Sequence, residues 1–457
     1  MKNNARYPNR SSLAKALSNS RLLLGWEESQ RPKGPAIGFQ QAAVPQPPRE
    51  PSLKPVWLDN PESHAICVAP TGTGKGRSSL LPQLLTWKGS VVVIDPKGEA
   101  AAVTGRYREK ELGQRVVYLD PFHVVTDEPD SLNPLDTIRF SGESPEEFAI
   151  MAPSLLHPDH LGFAREPYWD NSGDALISAV LCHILAMEPE EHRNFVRLRD
   201  HLMNDDVVYT LAKLLDTVGT KMPRMAKDQI ASFLSVADLT RSGILSTAQQ
   251  HLRLLADPCV IEGLNRTSFD LDAFRRGDPM TIYLILPPTR LHSHGLLLRS
   301  WLGTLFTVAM SREQLPDSPT LFLVDELAAL GSMNQIRTAF TLLRGYGVRI
   351  SIYLQDLNQL KQLYPQDWET LVNNAGTIQT FGPSNFQMAK QLADLFGTEV
   401  RAEDLLSAGK EEQYVLFQGG NWKRCRKLDY LTDPIFEGRY DPNPRYKRRL
   451  PPGTSII

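Results

Sequence analysis

Three groups of residues in this chain have the types and spacing to handle a polyphosphate. The first is Ala69-Pro70-Thr71-Gly72-Thr73-Gly74-Lys75-Gly76-Arg77. Gly72 and Gly74 permit torsions that a Cβ would block, so consecutive backbone N–H groups can turn inward around an anion. Lys75 adds a fixed positive charge for the outer phosphates. The second group is Asp325-Glu326: Asp325 can orient magnesium or its water, and Glu326 can polarise an attacking water. The third is Gln355, placed to read a terminal phosphate or that water. A glycine-rich turn also occurs in ordinary strand-turn-helix units, and strand ends often carry solvated acids. Both in one chain point to ATP and Mg2+.

Against the pattern G-x-x-x-x-G-K-[ST], the stretch keeps the second glycine and the lysine but has Ala69 at the first glycine and Gly76 at the hydroxyl. Alanine is a mild change. Glycine removes the usual magnesium-ligating oxygen, so the metal is expected on water, on the later acidic pair, or on Ser78 or Ser79 one turn further on.

These groups need a scaffold that gathers distant segments. Ala65 to Val68 reads as a buried strand leading into the turn, and the helix after it points its positive N-terminal end at the anion. Ser90 to Asp95 (SVVVID), Arg115 to Leu119, Met280 to Leu286, Leu321 to Val324, Arg349 to Leu354 and Thr377 to Phe381 read as further strands. Unbroken β-branched runs alternating with helices imply a mainly parallel sheet covered on both faces, an α/β fold. Such sheets collect ligands at the carboxyl ends of their strands, where Asp325 falls. Asp356 can cap the following helix.

Composition bounds the rest. The chain has 457 residues, 41% hydrophobic and 22% charged, enough for two or three domains. A net charge of −2 gives no global basic field for nucleic acid, so any DNA contact must be local. The four cysteines lack C-x-x-C spacing, which argues for a reducing compartment and against zinc, and the ten histidines are dispersed. No apolar run reaches the roughly 18 residues needed to cross a bilayer. The expected organisation is an extended basic and Pro-rich arm over 1–55, a nucleotide-binding part over 56–145, an all-α domain over 146–265, the second nucleotide-binding part over 266–440, and a basic tail over 441–457. Tyr414 to Gln418 and the basic Trp422 to Lys427 suit either a nucleic-acid contact or solvated edge strands, and the second is the preferred reading.

Ala69 to Gly76 (APTGTGKG), Ile94 to Glu99 (IDPKGE), Leu119 to Phe122 (LDPF), Ser131 to Asp136 (SLNPLD), Pro167 to Ile177 (PYWDNSGDALI), Phe322 to Gly331 (FLVDELAALG), Arg344 to Gln355 (RGYGVRISIYLQ) and Asp433 to Arg439 (DPIFEGR) occur in order. Together they resemble the soluble part of TraG/TraD-type coupling proteins, the ATPases of type IV secretion and conjugation. The resemblance implies a RecA-like P-loop domain, an all-α domain and a homo-hexameric ring. It also implies DNA, single-stranded by preference, or nucleoprotein or protein cargo, with secretion channel components as partners. The lysine-glycine ending of the cradle is similar to the TraG branch. Such proteins usually carry N-terminal membrane helices; without one, the chain is expected in the cytoplasm, meeting the inner membrane only through a partner. In a ring, a neighbour supplies an arginine in trans, for which Arg344 is the choice and Arg349 the substitute. Two other tasks fit the same residues: a double-stranded DNA pump of the HerA/FtsK type, and a nucleotide-binding adaptor that does not hydrolyse.

Overall fold

The computed structural model describes residues 7–8, 21–28, 52–58, 60, 63–156 and 167–445, and in it the β-branched runs become one eleven-stranded sheet. In chain order the strands are β1 (Leu22–Glu28), β2 (Leu53–Leu58), β3 (His64–Val68), β4 (Val91–Ile94), β5 (Arg115–Leu119), β6 (Met280–Leu284), β7 (Thr320–Val324), β8 (Val348–Leu354), β9 (Ala375–Thr380), β10 (Glu412–Phe417) and β11 (Trp422–Lys427). Their spatial order is β2-β1-β11-β10-β9-β3-β8-β7-β4-β6-β5. Every pair from β9 to β5 is parallel, and β10, β11, β1 and β2 extend the sheet with antiparallel pairs.

The central strands are covered on both faces, so every residue of β4, β7 and β8 is buried, the few polar ones such as Arg349 and Ser351 with hydrogen-bond partners. Alternation sorts their side chains between two cores. Ile66, Val92 and Phe322 join one cluster, while Cys67, Val93 and Leu323 join the other.

Between β5 and β6 the chain is helical. Its longer helices are α1 (Pro167–Met187), α2 (Phe195–Leu202), α3 (Val207–Val218), α4 (Arg224–Ser235) and α5 (Asp238–His251). Asn194 and Asp206 cap α2 and α3 by accepting the N–H of Arg197 and of Tyr209. Gly243 lets α5 close on α1, since a Cβ there would lie 2.5 Å from the Trp169 ring. Leu176, Ile184, Leu211, Ile230 and Ala248 share one core with Ile66 and Val324 of the sheet. The helical layer is therefore packed on the sheet. After β6, α6 (Leu291–Met310) runs along the same core.

Two expectations change at the ends of the chain. The stretch 1–55 is not only an extended arm: β1 lies inside the sheet, with Leu22, Leu23, Leu24 and Trp26 buried. The Trp26 indole donates to Asp433 at 2.7 Å and the Tyr7 hydroxyl donates to the other Asp433 oxygen at 2.8 Å. The Pro-rich stretch 29–51 and the tail beyond 445 lie outside the described residues. Nor are β10 and β11 edges, because β11 has β10 on one side and β1 on the other. Its basic side chains meet acids of those neighbours, Arg424 with Glu412 and Lys423 with Glu27, both at 2.7 Å.

Candidate nucleotide site

Parallel pairing puts the carboxyl ends of β3, β8, β7 and β4 on one rim, with Val68 beside Leu354 and Val324 beside Ile352 and Ile94. The glycine turn after β3 and Asp325 after β7 thus flank the end of β8, about 10 Å apart by strand spacing. The Ala69 N–H donates to the Leu354 carbonyl at 2.9 Å and opens the turn. Gly72 (φ +82°) and Gly74 (φ +97°) adopt left-handed torsions, as the inward-facing amides require. The Thr73 hydroxyl ties the turn by donating to the Pro70 carbonyl at 2.7 Å. Thr71 and Gly72 are exposed. Lys75 is the last residue before a π-helical turn, Gly76–Leu80, that runs into the helix Leu81–Thr86.

That helix is fixed at both ends by buried polar contacts. At its start, Ser79 Oγ donates to Gln379 Oε1 at 3.0 Å and Ser351 Oγ donates to Gln83 Oε1 at 3.1 Å, binding it to β9 and β8. At its end, Arg108 is fully buried and donates to the Leu84 (2.6 Å), Trp87 (2.8 Å) and Gly89 (2.9 Å) carbonyls. These satisfy the free carbonyls of the helix terminus and solvate a buried cation that has no carboxylate partner in these bonds. Burial still pushes the Arg108 guanidinium down to about 10.

The rim gathers acids. Burial, with Asp95 and Glu326 nearby, pushes Asp325 up to about 7, while the charges of Lys75 and Lys97 pull the other way. Asp95, which ends β4, is raised to about 6 by burial, although its carboxylate accepts the Ala101 N–H at 2.8 Å. Acids held this far above their ordinary range gain from any cation that replaces the proton. The donor set of Asp325, Glu326 and the Lys75 cradle therefore fits a magnesium nucleotide. Asp95 was not foreseen as part of it.

Lys427 was also missed. It ends β11, yet its ammonium donates to the Thr73 carbonyl at 2.9 Å and stands over the Phe381 ring at 4.5 Å. Burial lowers its pKa. The cradle thus has a second lysine, from a strand about 350 residues away in sequence.

The remaining expected residues fall as follows. Arg77 does not point freely into the cradle: it makes a two-pronged ion pair with Asp429, at 2.6 and 2.5 Å. Gln355 is exposed at the end of β8, its N–H donating to Gln359 Oε1, and Asp356 caps the next helix through the Gln359 N–H. Ser78 is buried, its hydroxyl 3.6 Å from where a Cβ on Gly74 would sit, and a Cβ on Gly76 would meet nothing within 4 Å. Arg344 precedes β8, at the opposite rim, and donates to the Asn374 carbonyl. Arg349 is ruled out as its substitute. It is fully buried, donating to the Ser63 carbonyl at 2.7 Å and lying over the Trp87 ring, so it cannot reach another chain.

Sheet order and cradle define a P-loop nucleotide-binding protein of RecA-like α/β fold. The chain belongs to the type IV secretory system conjugative DNA transfer family, whose profile matches residues 43–412. It is 25% identical over 375 residues to the conjugal transfer protein TraG of Escherichia coli, covering 78% of this chain and 58% of that one. Protein VirD4 of Rhizobium radiobacter is 26% identical over 433 residues, covering 83% and 59%. The chain thus spans about three fifths of the length of these relatives. Among solved structures, the plasmid coupling protein TrwB in complex with a non-hydrolysable ATP analogue superposes with a TM-score of 0.61 at 17% identity, covering 81% of this chain and 86% of that one. TrwB in complex with ADP and Mg2+ gives 0.60 at 16% identity, covering 84% and 90%. Among the described residues no helix is long and apolar enough to cross a membrane.

Proposed function

We propose that this chain is the ATP-hydrolysing motor part of a coupling protein that delivers DNA, nucleoprotein or protein substrates to a type IV secretion channel. The observation that carries the reading is that parallel pairing sets the Lys75 cradle after β3 and Asp325-Glu326 after β7 on one rim, on either side of the end of β8. In this reading the turn amides, Lys75 and Lys427 hold the phosphates. Asp325 holds the metal or its water, with the Ser78 hydroxyl in place of the one Gly76 lacks. Glu326 takes the proton of the attacking water, and Gln355 orients that water against the terminal phosphate. Bound Mg2+ supplies charge neutralisation on the outer phosphates. TrwB is solved with an ATP analogue and with ADP and Mg2+, which supports the same ligands here. Arg344 lies on the rim away from its own cradle, so it acts on the cradle of another copy in a homo-hexameric ring.

The test is to measure mass and phosphate release together, with Mg·ATP and with single- or double-stranded DNA. The expected outcome is an assembly that hydrolyses ATP faster with single-stranded DNA. Faster turnover with double-stranded DNA reassigns the task to a duplex pump. An assembly that binds ATP without turnover reduces the chain to an adaptor. Glu326→Gln should keep ATP binding and lose about 100- to 10,000-fold in turnover; an unchanged rate removes Glu326 as the base.

A further inference from the structure

The helical layer brings together residues that are scattered in sequence. His183 lies in the last turn of α1, Glu188 just beyond it, and His201 in α2. The two histidines are buried and Glu188 is nearly so, and one potential ligand atom from each lies within 4.8 Å of the other two. His201 Nε2 is 2.9 Å from Glu188 Oε1, and His183 Nε2 is 3.6 Å from that same oxygen. The two imidazole rings stand edge to face, 5.9 Å apart.

Hydrogen bonding alone does not account for this arrangement. His183 Nδ1 is buried without a hydrogen-bond partner, and 3.6 Å is beyond hydrogen-bond length for Nε2. An ion on Nε2 supplies the partner that this nitrogen lacks in the buried cluster. Donors bound to zinc at about 2.0–2.2 Å in a tetrahedron lie about 3.4 Å from one another. The observed 2.9 and 3.6 Å to Glu188 Oε1 bracket that value, and the two imidazole nitrogens, within 4.8 Å of each other, would close on the ion to complete the set. The outer shell is also present: Arg197 Nε donates to Glu188 Oε2 at 2.6 Å, which turns Oε1 toward the histidines. On the open side His192 Nδ1 stands 3.7 Å from Glu188 Oε2, and this ring is half exposed.

We propose that His183, Glu188 and His201 bind one Zn2+ ion that pins α2 to the end of α1. Two imidazoles and a carboxylate are a borderline donor set that selects zinc over magnesium or calcium. The role is structural, far from the Lys75 cradle in sequence and carried by other elements.

The test uses the full chain, stripped with EDTA and titrated with Zn2+ by calorimetry and with Co2+ by visible absorption. The expected result is one ion per chain, an intense Co2+ spectrum of low coordination number, and a melting temperature that rises with Zn2+. Glu188→Gln and His201→Gln should each weaken binding by about 100-fold or more. Glu326→Gln, which removes an acid from the nucleotide rim, should leave it unchanged. Absence of stoichiometric binding by the wild type overturns the site, as does full retention by both variants. If the variants do not fold, the wild-type Co2+ spectrum decides: a weak spectrum like that of the ion in water refutes imidazole ligation.

Discussion

An arginine that serves only a neighbour's cradle makes a quantitative prediction about mixed rings. β8 spans seven residues from Val348 to Leu354, roughly 20 Å. Arg344 precedes that strand, whereas the cradle lies past its other end, so no side-chain rotation joins the two within one chain. Lys75→Ala alone destroys every cradle. Arg344→Ala alone removes every finger, a loss of about 10³- to 10⁵-fold, or about 4–7 kcal/mol of barrier. A ring assembled at random from equal amounts of the two should recover activity. A site works when its own chain is Arg344→Ala, with an intact cradle, and its neighbour is Lys75→Ala, with an intact finger. Each condition holds about half the time, so turnover should return to about a quarter of wild type when sites act independently. The assay is phosphate release after co-assembly, with mass measured on the same sample. An assembled mixture as inactive as its parents would refute action in trans and return Arg344 to a structural role.

Three other outcomes follow from single contacts. Lys427→Met takes one of the two lysines proposed to hold the phosphates, and loss of one charged hydrogen bond to them, about 1.5–3 kcal/mol, should weaken nucleotide binding about 10- to 100-fold; calorimetry showing unchanged affinity would confine Lys427 to its bond with Thr73 and to holding the turn. Gly76→Ser should fold, because a Cβ there meets nothing within 4 Å, and should gain roughly 0.5 kcal/mol from lost chain entropy, with nucleotide binding at lower Mg2+. A lower melting temperature would show that the cradle needs glycine. His64 is buried at the head of β3 and accepts the Ile350 N–H; burial first, then the charges of Arg344 and Arg349, push it down to about 3. The unfolded chain takes that proton near pH 6.5 and the folded chain refuses it, so this stability is full above pH 6.5 and is lost as pH falls. The loss is about 1.4 kcal/mol per pH unit. Unfolding free energies of wild type and His64→Gln from urea titrations should diverge by about 2 kcal/mol between pH 7 and 5, and parallel lines would show that His64 does not titrate differently on folding.

What could be read from the sequence was whatever announces itself locally. The strands β4, β7 and β8 were legible because they are rich in β-branched and other apolar residues, as strands covered on both faces must be. The cradle was legible because its glycines and lysine are contiguous. β1 was not, since Leu22 to Leu24 is a short apolar run in polar surroundings and its partner β11 lies some 400 residues away. The same distance hid the histidine cluster in miniature: His183, Glu188 and His201 share no helical period and converge only when α2 folds back on α1.

Lys427 shows what kind of information was missing. A basic strand beside aromatics looks like a solvated edge while its neighbours are unknown. Once the order is known, direction follows: β10 runs against β9 and β11 runs against β10, so β11 points the same way as β9 and β3. Its last residue must then emerge on the rim where β3 ends and the cradle begins. Three strand spacings separate β11 from β3, about 14 Å, a gap that the long lysine stem and the twist of the sheet close to a 2.9 Å contact with Thr73. Asp95 and Asp325 meet by the same geometry, at the ends of adjacent parallel strands. Membership of this site is thus set by which strands point toward the rim, and residues at those ends belong to it wherever they stand in the chain.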